Sequence, residues 1–136
     1  MASVQITGVD HVVLRTAKLD ATLRFYRDAL GLPVERTIEA IGLYQLRAGS
    51  ALVDVVDTSV MTVAAAGPCE SLYDHFCLSV AADSTEEVLA SLDAAGIAHG
   101  DAAERYGATG MGQSIYAFDP DGRVVELKIT RALRPD

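Results

Sequence analysis

Apolar and polar positions along this chain alternate, then step at helical spacing, then alternate again, and the cycle runs twice. Gly8 to Arg15, GVDHVVLR, has the β-branched density of a strand. Leu19 to Leu30, LDATLRFYRDAL, sets Leu19, Leu23, Tyr26 and Leu30 on one helical stripe, after which Gly31 supplies a stop and Pro33 prevents continuation. Three short strands follow, PVERTIE, IGLYQLR and SALVDVVD, with Ala48 and Gly49 as a tight connection between the last two. Residues 6–57 thus read as one βαβββ module.

Residues 58–71 hold Gly67, Pro68 and an alanine cluster and read as a linker or flap. The order then restarts over residues 72–130. YDHFCLSVA is strand-like and DSTEEVLASLDAAG helix-like, with Ser84 or Asp83 as the cap and Glu86 and Glu87 near the positive end of the helix dipole. Gly96 ends this helix; Ile97 to Tyr106 leads toward a strand, and Gln113 to Phe118 and Arg123 to Ile129 form two more. Asp119, Pro120, Asp121 and Gly122 make the turn between that last pair. Gly107, Gly110 and Gly112 suggest a loop able to approach a ligand or move over it.

The repetition extends to letters. Asp10, His11 and Leu14 recur as Asp74, His75 and Leu78, Gly31–Leu32 as Gly96–Ile97, and Val53–Asp54–Val55 as Val125–Glu126–Leu127. Each module is too small to bury its own sheet, so the expected fold class is α+β: two tandem βαβββ modules, packed about a pseudo-twofold axis into a cupped mixed β-sheet with flanking helices. Residues 1–136 would make a single domain.

Composition narrows the partners. With 136 residues, half of them hydrophobic, the chain can bury a sizeable core. A net charge of −8, from 19 acidic against 11 basic residues, repels nucleic acids and anionic membranes. The N-terminus has neither a basic start nor an apolar signal core, so a cytoplasmic protein is expected. Cys69 and Cys77 fall outside C-x-x-C spacing and read as thiols, with Cys77 a small core residue.

Four polar residues embedded in apolar strands form two equivalent pairs: His11 with His75, and Asp54 with Glu126. Singly, each has an ordinary explanation, such as a hydrogen bond from His11 to Asp10 or an open sheet face for Asp54. Jointly, two imidazoles and two carboxylates suit one first-row divalent ion, which would relieve the penalty of burying them.

The stretches DHVVLRTAKLDATLRFYRDALGL, DHFCL and SIYAFDPDGRVVELK resemble the vicinal oxygen chelate superfamily, which includes glyoxalase I, fosfomycin- and bleomycin-resistance proteins, methylmalonyl-CoA epimerase and extradiol dioxygenases. The resemblance spans Ile6 to Ile129 and is most specific in FYRDALGL and DPDGRVVEL. It implies metal ligation by His11, His75 and Glu126, with the fourth position, usually Glu or Gln, falling on Asp54. The ion would be Zn, Ni, Co, Fe or Mn.

In a glyoxalase I-like lyase or isomerase acting on a hemithioacetal or α-hydroxycarbonyl, Glu126 or Asp54 would be the base. Arg15 matches the arginine that glyoxalase I directs toward glutathione, while the family's asparagine four residues after the first acid falls on Thr58. RYGATGMGQSIYAFDPDG resembles fosfomycin-resistance proteins, which implies substrate contacts from Ser114, Tyr116 and Arg105. The alternatives are thiol or water addition to an epoxide, or a binding protein of the bleomycin-resistance type without chemistry. The resemblance also implies a homodimer, with the apolar stretch Val60 to Ala66 covering the site or seated against a partner.

Overall fold

The structure, a computed structural model, describes residues 9–60 and 75–130. The chain falls into two compact units, Met1–Ala65 and Ala66–Asp136. Most of the expected linker or flap, with Cys69 and Asp74, lies outside the described residues. Among the described residues no helix is long and apolar enough to cross a membrane.

The first unit runs β1 (His11–Thr16), α1 (Leu19–Leu23) continued by a π-helical turn (Arg24–Ala29), β2 (Val34–Ile38), a 3-10 turn (Glu39–Ile41), β3 (Leu43–Ala48) and β4 (Ala51–Asp57). Its four-stranded sheet has the order β1-β4-β3-β2, with β1 and β4 parallel and the other neighbours antiparallel. Alternation sorts the side chains: Leu14, Val53, Val55 and Leu46 are buried on one face. The buried Thr16 hydroxyl on that face is 3.0 Å from the hydroxyl of Thr22 in α1. The helix therefore covers the Leu14 face, leaving His11, Val13 and Arg15 on the other.

Two details depart from the sequence reading. The helix widens in its second half: the Leu30 amide donates to the Phe25 carbonyl five residues back, and Gly31, at φ +76°, closes the end. This wider turn buries the adjacent pair Phe25 and Tyr26, 5% and 0% exposed, with their rings edge to face at 4.8 Å. A strict 3.6-residue stripe selects Tyr26 but misses Phe25. The β3–β4 turn also lies at Gly49–Ser50, one residue later than expected, because Ala48 still pairs with Ala51.

The second unit repeats the order: β5 (His75–Val80), α2 (Thr85–Ala94), β6 (Ala103–Gly107), β7 (Gly110–Phe118) and β8 (Val124–Ile129). Its sheet order is β5-β8-β7-β6, again with one parallel pair, β5 with β8. Ser84 caps α2 by accepting from the Glu87 amide at 3.2 Å, and the Glu87 carboxylate accepts from the Asp83 amide. The glycine stretch is a hairpin and not a loop: Gly107 pairs with Gly110 across a two-residue turn, and Gly112 pairs with Arg105. These glycines continue the strands because their neighbours keep the antiparallel register on both sides.

His99, absent from the sequence reading, bridges α2 to the sheet edge. Its Nε2 lies 2.7 Å from Asp93 and its Nδ1 2.7 Å from the Gly100 carbonyl. With an acceptor at each nitrogen the imidazolium is favoured, so the pKa is raised above 6.5, first by the Gly100 carbonyl and then by Asp93. A raised folded-state pKa contributes stability that is fully present below the unfolded value and lost as pH rises through the folded one. His99→Gln is therefore expected to lower the melting temperature more at pH 5.5 than at pH 8.5, as thermal melts at both pH values would show. An equal drop at both would contradict this assignment.

Candidate metal and substrate site

Parallel pairing of each unit's first and last strands puts a histidine and a carboxylate on one sheet face. In the first unit Val13 pairs with Asp54, so His11, one pleat earlier, shares the face with Asp54. In the second unit Cys77 pairs with Glu126, so His75 shares the face with Glu126. The two arrangements are register-for-register copies.

His11 is exposed, and its Nδ1 lies 2.8 Å from Asp10. Its pKa is raised, chiefly by that hydrogen bond, with a smaller contribution from the charge of Asp54. Asp54 is 4% exposed. Its Oδ2 accepts from Gln45 Nε2 at 3.2 Å, whereas its Oδ1 is buried with no hydrogen-bond partner among the described residues. Arg15 is half-buried on the same face.

In the second unit His75 Nε2 lies 3.1 Å from Glu126 Oε1. Tyr116 pairs with Glu126 across β7 and β8, and its ring centroid is 5.4 Å from that of His75. The Arg105 guanidinium sits 4.1 Å over the Tyr116 ring and donates to the Ser114 carbonyl and hydroxyl, both at 2.8 Å. Ser114 is fully buried, so its hydroxyl supports Arg105 from below.

Two residues on this face carry more than the sequence suggested. Lys128, 5% exposed, shares the face with Glu126 and Ser114 and donates to the Gly110 carbonyl. Gly112 makes room for it, since a Cβ there would lie 3.2 Å from Lys128 Cε. The signal was the alternation in VVELKI, which puts Glu126 and Lys128 on one side. Cys77, expected in the core, is an exposed residue beside Glu126, because Phe76 and Leu78 take the apolar positions of β5. Burial around its sulfur, with Glu126 adjacent, pushes the thiol up to about 11, so it stays protonated at neutral pH.

Every residue expected at the site thus shares one face of its own sheet: His11, Arg15 and Asp54 in one unit, and His75, Arg105, Ser114, Tyr116 and Glu126 in the other. Among the described residues no three His, Cys, Asp or Glu side chains gather into a metal cluster, and each unit supplies one imidazole–carboxylate pair. The donor chemistry fits a divalent cation. The orphaned Asp54 Oδ1 is the most direct sign, because a buried carboxylate oxygen without a protein donor calls for a cation or a water donor at that point.

Two βαβββ units, each presenting this pair, define a class, and comparison with known proteins gives it a name. Residues 8–127 match the model of the Glyoxalase/Bleomycin resistance protein/Dioxygenase superfamily, and the chain belongs to that family. A virulence protein from Salmonella typhimurium has a similar structure, with 26% identity, a TM-score of 0.78, and 93% of this chain and 98% of that one covered. Lactoylglutathione lyase from Agrobacterium tumefaciens is similar at 22% identity and a TM-score of 0.68, covering 94% and 97%. The fosfomycin resistance protein FosX from Listeria monocytogenes is similar at 17% identity and a TM-score of 0.69, covering 93% and 95%. No curated protein matches the chain by sequence.

Proposed function

We propose that this protein is a metal-dependent lyase or isomerase of the glyoxalase I type, acting on a small α-hydroxycarbonyl or hemithioacetal. The carrying observation is the duplicated register that sets His11 with Asp54 and His75 with Glu126. In this reading these four side chains hold one divalent ion, Zn, Ni, Co, Fe or Mn, their two imidazoles and two carboxylates forming a neutral-charge set with it. When bound, the ion supplies Lewis-acid polarisation of substrate oxygens.

The chain's own groups supply the rest. Glu126, whose Oε1 lies 3.1 Å from His75 Nε2, takes a proton from one substrate carbon and returns it to the next. Asp54 is the second candidate for this base. Arg105, stacked on Tyr116 and braced by Ser114, offers a cation to an anionic end of the substrate, and Lys128 and Arg15 add to that polarity. The same reading has the protein working in the cytoplasm as a homodimer, on substrates that include thiol adducts. The ligands would come from one chain's two units or from two chains.

The test is turnover by purified protein of measured metal content against a panel of hemithioacetals and α-hydroxycarbonyls. The expected result is one bound ion per site and isomerisation of at least one panel member. Tightly bound metal with no turnover of any member would sink the proposal. The cluster of Arg105, Tyr116, Ser114 and Lys128 favours one other reading, opening of an epoxide by a thiol or water. Loss of fosfomycin in the presence of thiol and Mn(II) would select it.

A further inference from the structure

The two oxygens of Asp54 stand in different surroundings, and the difference is built by two strands that carry no proposed ligand. Register aligns Asp54 of β4, Gln45 of β3 and Arg36 of β2 in one row across the sheet. A one-residue bulge between Val34 and Arg36 is what brings Arg36 opposite Gln45. Arg36 Nε donates to Gln45 Oε1 at 2.8 Å, and Gln45 Nε2 donates to Asp54 Oδ2 at 3.2 Å.

The direction of this chain is fixed by chemistry. A guanidinium can only donate, so Arg36 holds the amide oxygen of Gln45 and turns its NH2 toward the carboxylate. Asp54 Oδ2 is thereby occupied, and Oδ1 is left buried with no partner among the described residues.

We propose that Gln45, oriented by Arg36, is a positioning residue that commits Asp54 to bind the divalent cation through Oδ1 alone. This rests on the metal-site reading above. It explains how an aspartate, one methylene shorter than glutamate, serves as a ligand: its reach is reduced, but its rotation is set in advance. Partners that orient a ligand typically alter metal affinity about 10- to 100-fold when removed.

The test uses the full-length protein and reads cation binding by Co(II) titration, following both affinity and the visible absorption of the bound ion. Gln45→Leu is expected to weaken Co(II) binding by about 10- to 100-fold and to change its spectrum, as Oδ2 becomes free to swing. Arg36 is exposed, so Arg36→Leu tests the same chain without disturbing the core. It is expected to weaken binding less, and Arg36→Lys to restore it. If Asp54→Ala weakens binding while Gln45→Leu and Arg36→Leu leave affinity and spectrum unchanged, the positioning role is overturned and the metal site stands. A wild-type protein that binds no stoichiometric Co(II) overturns both.

Discussion

Glu126→Ala is expected to lower kcat/KM by about 10²- to 10⁴-fold, the range for loss of a general base, and to weaken metal binding in the same variant. Glu126 is buried and its Oε1 meets His75 at 3.1 Å, so the mutation removes a proton acceptor and a proposed cation ligand together. Glu126→Gln separates the two roles, because an amide oxygen still binds a cation but takes no proton at neutral pH. Metal analysis beside steady-state kinetics on both variants gives the answer. Activity within about tenfold of wild type in Glu126→Gln would move the proton transfer to Asp54.

Asp119→Ala is expected to cost about 3 kcal/mol, which a thermal melt reads as a fall of roughly 10 °C for a chain of this size. Asp119 is 5% exposed and holds the last turn through both carboxylate oxygens. Its Oδ1 accepts from the Asp121 and Arg123 amides at 3.0 and 2.8 Å, and its Oδ2 from the Arg123 guanidinium at 2.8 Å. Removing it takes the acceptor from two amides and the nearer carboxylate from a half-buried cation at once. The control is Asp121→Ala, whose contact with Arg123 is a longer 3.4 Å at an exposed position and whose loss should stay within about 0.5 kcal/mol. This turn fixes the β7–β8 register, so it also sets Tyr116 beside Glu126.

The repeated Asp-His letters and the two acids mark the histidine and carboxylate of each unit in the sequence itself, because a polar residue in an apolar strand is conspicuous in one dimension. The succession of strands and helices along the chain was legible because hairpin turns and helix stops announce themselves locally, whereas the pairing of first with last strand in each sheet was not. Gln45 and Arg36 carried no such mark. Their significance depends on a bulge that shifts one strand against the next, and glutamine in a half-exposed strand looks like any surface residue. Phe25 is hidden by a helix that leaves 3.6-residue periodicity, and Cys77 by the small apolar character that usually buries a free cysteine. What escaped in each case was an interaction set by register or winding and not by residue type.

The parallel pairing of first and last strands has a consequence for how the protein reaches its working form. No hairpin joins β1 to β4 or β5 to β8; His75 and Glu126 stand 51 positions apart in the chain. Zipping the β2–β3–β4 and β6–β7–β8 hairpins first would shorten the loop that the parallel strand must close when it docks. Each imidazole therefore reaches its carboxylate only when its unit has closed, so a cation held by these pairs would bind the finished unit and not the partly folded one, and would pull folding to completion by mass action.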